Sequence, residues 1–324
     1  MKKLAITMGD PGGVGPEIII KALYSSEVRR YCAPIVIGDR LVIEEALKLL
    51  KLPLTLRIIK SPEESQTASG SINLIEDRVM KKFKKGQPTA NSGRVCVSYI
   101  KKAVELVLHK QVDGIVTAPI SKRAFKMAGF TWPGHTEMLA DLTNTKEYAM
   151  MLVGGPLRVI LATIHVPLKS VPALITKDKV LKTIRLAMKA CDMFGIKNPK
   201  IAVAGLNPHA GEAGIFGDEE IKKIIPAVEA AKKEGIPVSG PYPPDTIFHK
   251  TYKGEIDIIV CMYHDQGLIP LKMIAFEEGV NVTVGLPFIR TSPDHGTAYD
   301  IAWKGVASPT SMIEAIRLAA SLKV

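Results

Sequence analysis

Short apolar runs alternate with amphipathic stretches along most of the chain. Residues 4–8 are apolar and read as a strand. The loop Gly9-Asp10-Pro11-Gly12-Gly13-Val14-Gly15 follows, then a helix to Tyr24 with Pro16 near its first turn. Residues 34–38 predict a strand, 40–51 a helix and 54–59 a strand, whereas 60–90 are polar and loop-like. Asn91-Ser92-Gly93 opens an amphipathic helix to about residue 110, and 113–117 form the next strand. Thr117-Ala118-Pro119-Ile120-Ser121-Lys122 closes that strand and starts another helix; Pro133-Gly134-His135-Thr136-Glu137 turns into a further one. Runs 148–153 and 157–164, split by Gly154-Gly155-Pro156, resemble a hairpin. A helix over 177–194 is stopped by Gly195, and a strand over 201–206 precedes a helix from about 217 to 235. Residues 241–246 read as a rigid proline loop, 258–262 as an apolar run, and Ser308-Pro309 as the cap of a C-terminal helix. This alternation predicts an α/β fold with a mostly parallel, partly mixed sheet.

At 324 residues the chain has room for two domains, since single cores stop growing near ~250–300 residues. The expected split joins both ends of the chain in one domain and leaves the middle as the other. The start MKKLAITMGD reaches Asp10 too soon for a signal peptide, and no apolar run approaches the ~20 residues of a membrane span. Cys32, Cys96, Cys191 and Cys261 form no CxxC pair and sit in apolar surroundings, the pattern of reduced thiols in a cytoplasmic protein. The net charge of +11 comes with only 6% aromatics and lysines spread over helix faces, so no nucleic-acid partner is expected. Some of the positive groups suit an acidic substrate.

Residues 257–309 carry the densest chemistry and read as the hub of a small-acid site. Tyr263-His264-Asp265 follows an apolar run, then come Lys272, Asn281, Arg290 and the loop Asp294-His295-Gly296-Thr297. The early glycine-rich loop fits neither GxGxxG nor GxxxxGK[ST]. Asp10 and Glu17 would repel a phosphate there, and a tight strand-to-helix turn is at least as good a reading. At the start of the helix after Pro133, Thr136 is either an N-cap or, with His135, an anion ligand. Of the seven histidines, His109 and His249 sit in polar surroundings and read as exposed spacers. His165, His209 and His264 each follow an apolar β-like run, at the strand ends where open α/β sheets bind ligands. Either the three converge on a divalent metal, or each merely bonds a backbone carbonyl.

The stretches ITMGDPGGVGPEI, TAPISK, GHTEMLA, ATIHVPL, GLNPHAGEAGIFGDEE, PPDTIF, MYHDQGLIPLK and GVNVTVGLPFIRTSPDHGTA span almost the whole chain. Together they resemble the 4-hydroxythreonine-4-phosphate dehydrogenases of pyridoxal phosphate biosynthesis (the PdxA family). The resemblance implies a two-domain fold like that of the isocitrate and isopropylmalate dehydrogenases. In it, residues 1–130 with 290–324 form the cofactor side, and 131–289 form the metal, substrate and dimerisation side. It implies oxidation and decarboxylation of 4-phosphooxy-L-threonine to 3-amino-2-oxopropyl phosphate, dependent on NAD or NADP and on a divalent ion such as Zn, Mg or Co. His165, His209 and His264 are then the metal ligands, one coming from the partner subunit of a homodimer whose active site is shared. His135, Thr136, Lys272, Asn281 and Arg290 bind the phosphorylated hydroxy acid. DHGTAYDIAWKGVASPT looks like the adenosine loop of the related dehydrogenases, which places His295, Gly296 and Thr297 at the cofactor; Thr297, Tyr299 and Trp303 replace that loop's Ser, Pro and Gly. Asp245 and Asp265 are the acid/base candidates, or orient a metal-bound histidine instead. Two alternatives remain: a 4-phospho-D-threonate or 4-phospho-D-erythronate dehydrogenase of sugar-acid catabolism, and a non-catalytic binder of phosphometabolites or nucleic acid.

Overall fold

The computed structural model describes residues 1–66, 70–77 and 80–323. Its strands are β1 (Lys2–Thr7), β2 (Cys32–Gly38), β3 (Thr55–Ile59), β4 (Ser71–Glu76), β5 (Gly114–Thr117), β6 (Ala149–Gly154), β7 (Leu157–Leu161), β8 (Ile201–Ala204), β9 (Val238–Tyr242), β10 (Ile258–Cys261), β11 (Val280–Val284) and β12 (Ile289–Pro293). They divide between two compact units, Met1–Thr145 with Leu286–Leu322, and Lys146–Gly285 with Lys323.

In the first unit the strands run β3-β4-β2-β1-β5-β12, and every pair is parallel. All seven residues of β2 and the last four of β1 are buried, as expected of central parallel strands covered on both faces. The helices Gly15–Tyr24, Ala90–Leu108 and Thr310–Ser321 supply that cover. Thr89 caps the second of them by accepting from Ser92 N at 2.9 Å, and Thr291 Oγ1 donates to Ala315 O at 2.7 Å to seat the third on β12. The expectation of a loop throughout 60–90 is corrected by β4, which lies between β3 and β2. Asn73 interrupts its apolar run, and the Asn73 amide is buried because it donates to Gln66 O at 2.8 Å. The remainder of that expectation, at 67–69 and 78–79, lies outside the described residues.

In the second unit the order is β11-β6-β7-β10-β8-β9. β11, β6 and β7 pair antiparallel, with the hairpin where the glycine signal places it, and β7, β10, β8 and β9 are parallel. Its core includes Leu152, Leu157, Val159, Ile259, Cys261 and Leu271. The helix Lys177–Phe194 begins at a Thr176 cap and ends at Gly195, whose φ of 70° permits the left-handed stop. The rigid loop expected at 241–246 is instead the end of β9 and the start of the helix Pro244–Tyr252. Proline breaks a helix interior but is at home in its first turn. The chemistry-dense stretch 257–309 contains the helix His264–Ala275 and is divided between the units after Gly285. Among the described residues no helix is long and apolar enough to cross a membrane.

Candidate active site

In the first unit, β12 carries Arg290 into the interior beside the end of β5. There its guanidinium donates to Thr117 Oγ1 at 2.6 Å and is only 2% exposed. Burial pushes its pKa down to about 9, so it remains a cation at neutral pH. His135 opens the helix His135–Leu142; its Nε2 is sealed from solvent and has no hydrogen-bond partner among the described residues. Burial, and secondly the Arg290 charge, hold this imidazole well below its usual pKa, so it is neutral. Thr136, 8% exposed, lies in the same first turn, whose amides point away from the helix body. A buried cation, a neutral imidazole with an unused nitrogen, and a helix start form a suitable receptor for an oxyanion.

The same unit holds the loop 294–305. His295 and Gly296 are exposed, and His295 Nδ1 lies 3.0 Å from Gly296 O. Thr297 O accepts from Val14 N at 3.0 Å, which ties this loop to the glycine-rich one. Asp10 and Tyr299 strengthen that tie. The buried Asp10 carboxylate accepts from Tyr299 Oη at 2.8 Å, Ser92 Oγ at 3.0 Å and Gly12 N at 2.8 Å. Burial raises the Asp10 pKa despite these three donors. Glu17 accepts from Trp303 N and Gly305 N, and Trp303 Nε1 donates to Pro11 O. The glycine-rich loop is therefore occupied by protein: a Cβ at Gly12 would lie 2.5 Å from Lys84 O. Asp10, Glu17, Tyr299 and Trp303 escape a reading by motif because their partners are nearly the whole chain away.

In the second unit, the adjacent parallel strands β7, β10 and β8 lead to His165, His264 and His209 respectively. The His165 and His264 rings lie 5.6 Å apart between centroids, in an open cleft of about 450 Å³ with Tyr263, Asp265 and Ile269. His264 Nδ1 is 2.6 Å from Asp265 Oδ1, an arrangement that leaves Nε2 as the ligand atom. His209 is not brought to this pair. Its ring lies 6.0 Å from that of Phe216, and among the described residues no three His, Cys, Asp or Glu side chains gather closely enough to hold a metal. The donor set of one chain thus suits two positions of a divalent ion and needs more from elsewhere. Asp245 is exposed in the first turn of Pro244–Tyr252. Lys272 Nζ lies 5.9 Å from the Phe276 ring, and Asn281 on β11 has a buried Oδ1 without a partner among the described residues. His109 and His249 are exposed. All four cysteines are buried free thiols, with burial pushing Cys32 and Cys191 up to about 12.

His209 sits on unusual backbone. His209, Ala210, Gly211, Glu212 and Ala213 have φ of 52°, 55°, 85°, 41° and 53°, one turn of left-handed helix. Each non-glycine residue there carries a penalty of roughly 1–2 kcal/mol, so surrounding contacts must over-determine the turn.

Strand-end imidazoles in one α/β unit and a buried arginine receptor in the other define an enzyme of anionic metabolites. The profile of the family described as "Pyridoxal phosphate biosynthetic protein PdxA" matches residues 30–319. The chain belongs to this family. A 4-hydroxythreonine-4-phosphate dehydrogenase of Trichlorobacter lovleyi is 50% identical over 99% of this chain and 97% of its own. A D-threonate 4-phosphate dehydrogenase of Pectobacterium atrosepticum is 47% identical over 99% of both. The crystal structure of 4-hydroxythreonine-4-phosphate dehydrogenase from Klebsiella pneumoniae superposes with a TM-score of 0.92 at 44% identity, covering 98% of each chain. The isocitrate dehydrogenase of Methylococcus capsulatus matches at a TM-score of 0.50 and 14% identity over 97% of this chain and 84% of its own, a likeness of fold. The expected isocitrate-dehydrogenase-like architecture is therefore the observed one.

Proposed function

We propose that the protein oxidises 4-phosphooxy-L-threonine with NAD or NADP and releases CO₂ and 3-amino-2-oxopropyl phosphate, a step of pyridoxal 5'-phosphate biosynthesis in the cytoplasm. The full-length similarity to dehydrogenases of this name carries the reading. The receptor at Arg290, His135 and Thr136 supports it, since it suits a phosphate or carboxylate group, and Arg offers two parallel donors to such an anion. Lys272 and Asn281 complete the grip on the substrate. Asp245 or Asp265 would take the hydroxyl proton, the nicotinamide when bound supplying the hydride acceptor, and the Lys272 ammonium would offset the enolate charge left when CO₂ departs. His165, His264 and a partner's third imidazole (His209 by number) would hold a divalent ion (Zn, Mg or Co), which when bound acidifies the hydroxyl and polarises the ketone.

The protein acts in this reading as a homodimer, with residues 131–289 at the dimer contact and 1–130 with 290–324, including His295, Gly296 and Thr297, on the cofactor side. Exposed apolar residues support a contact there: Ile269 is 65% exposed, Met273 87% and Phe276 79%, on or just after the helix His264–Ala275. Burying such a cluster against a second copy removes an otherwise unfavourable apolar surface.

The D-threonate 4-phosphate dehydrogenase reading is favoured by the relative from Pectobacterium and differs at the substituent on carbon 2. Purified enzyme with each divalent ion and each nicotinamide should reduce the cofactor at least tenfold faster (kcat/KM) with 4-phosphooxy-L-threonine than with 4-phospho-D-threonate. The reverse preference would replace the first reading by the second.

A further inference from the structure

We propose that Glu220 is a positioning residue for His209, its carboxylate being the peg around which the left-handed turn is wound. The inference rests on the reading of His209 as a metal ligand. Glu220 is 1% exposed and starts the helical turn Glu220–Ile224 that follows in sequence, from which its carboxylate reaches back to the loop connecting β8 to the left-handed turn. Its Oε1 accepts from Leu206 N at 2.7 Å and Asn207 N at 2.8 Å, and its Oε2 accepts from Asn207 Nδ2 at 2.9 Å. The same Asn207 Nδ2 also donates to Glu219 Oε2 at 2.8 Å. Pro208 follows, with fixed φ and no N–H to bond elsewhere, and the next residue is His209. The first left-handed residue is thus two positions beyond a backbone N–H held by a buried anion.

The turn closes over the same carboxylate. A Cβ at Gly211 would lie 2.8 Å from Glu220 Oε2, and one at Gly205 would lie 3.1 Å from Oε1. Only hydrogen atoms fit at these two places, so the backbone wraps the carboxylate directly. A shorter or apolar side chain would leave two backbone N–H groups without their acceptor; a glutamine amide could still accept from both, but its NH2 would face the Asn207 Nδ2 donor, inside a turn that has no favourable conformation of its own. Charge-assisted bonds of this kind are the stronger ones, and they pay for the strained backbone that presents the imidazole.

The test is a titration of the apo dimer with Co²⁺ in the absence of substrate, followed by calorimetry and by the visible absorption of the bound ion. Glu220→Gln should weaken Co²⁺ binding about tenfold and alter the absorption band, the scale of effect typical of groups that orient a metal ligand. Asn207→Ala, which leaves the buried carboxylate its two backbone donors, should weaken binding about threefold by loosening the same loop. It serves if Glu220→Gln does not fold. His209→Ala is the reference for a lost ligand. If His209→Ala weakens binding while the folded variants of Glu220 and Asn207 bind Co²⁺ within twofold of the unaltered chain, the positioning role is refuted and Glu220 only stabilises the fold. If His209→Ala itself binds normally, the ligand reading falls and the positioning role falls with it.

Discussion

The cluster around Arg290 and the pair His165–His264 are built on opposite plans. Arg290 is 2% exposed, Thr136 is 8% exposed, and the His135 nitrogen is sealed; every one of these groups belongs to one unit of one chain. The His264 side chain is 32% exposed and Asp265 70%, and the imidazole nearest in kind, His209, lies apart from them. One cluster draws all three of these groups from a single chain. The other offers two donors and an open cleft beside exposed apolar residues, which is what the proposed sharing of this site between two copies requires.

The sharpest way to break this contrast is complementation. In a purified mixed dimer, one protomer carrying His209→Ala and the other His264→Ala, one of the two shared sites is intact, so about half the normal turnover should return from nearly inactive parents. A mixed dimer of Arg290→Ala with His135→Ala should regain nothing, because each site still draws both groups from one damaged chain. Recovery in the second mixture, or none in the first, would erase the distinction between the two clusters.

A smaller effect tests how firmly the first unit holds its loop. Tyr299→Phe removes the phenol that donates to Asp10 and should raise the KM for the nicotinamide by roughly fivefold, about 1 kcal/mol, with Co²⁺ binding unchanged. A further test concerns pH. The His135 pKa is lowered in the fold, so below the ordinary value of 6.5 the unfolded chain takes up a proton that the folded chain refuses. Stability must then fall with acidification through that region, by up to ~1.4 kcal/mol per pH unit. His135→Gln should flatten this part of a plot of unfolding midpoint against pH; an unchanged slope would mean that His135 is accessible to protons in the fold.

Much of the architecture was legible in the chain because its signals are local. Thr176 and Gly195 bracket the helix Lys177–Phe194, and Gly154-Gly155-Pro156 marks the β6–β7 hairpin. β4 was missed because Asn73 breaks a short apolar run, and its amide is satisfied only once Gln66 is in place. The helix Pro244–Tyr252 was hidden by prolines that local reasoning assigns to a loop. For the site, strand-end histidines could be picked out singly, but not which of them meet. The pairing of Asp10 with Tyr299 spans 289 positions and leaves no mark of spacing. Nor does the left-handed turn, where Gly211 alone advertises positive φ while Ala210, Glu212 and Ala213 adopt it under compulsion.

One of the two strands beside β5 is β12, and the bond from Arg290 to Thr117 spans 173 positions. A chain emerging from the ribosome therefore completes all of residues 146–285 before the strand bearing Arg290 exists. The contiguous unit can condense during synthesis, while the edge of β5 waits with unpaired amides for a late arrival. Translation order alone makes the arginine receptor mature after the contiguous unit, together with the loop and helix that follow Arg290 and close on the N-terminal strands, and chaperone protection of the nascent chain should be needed most in that interval.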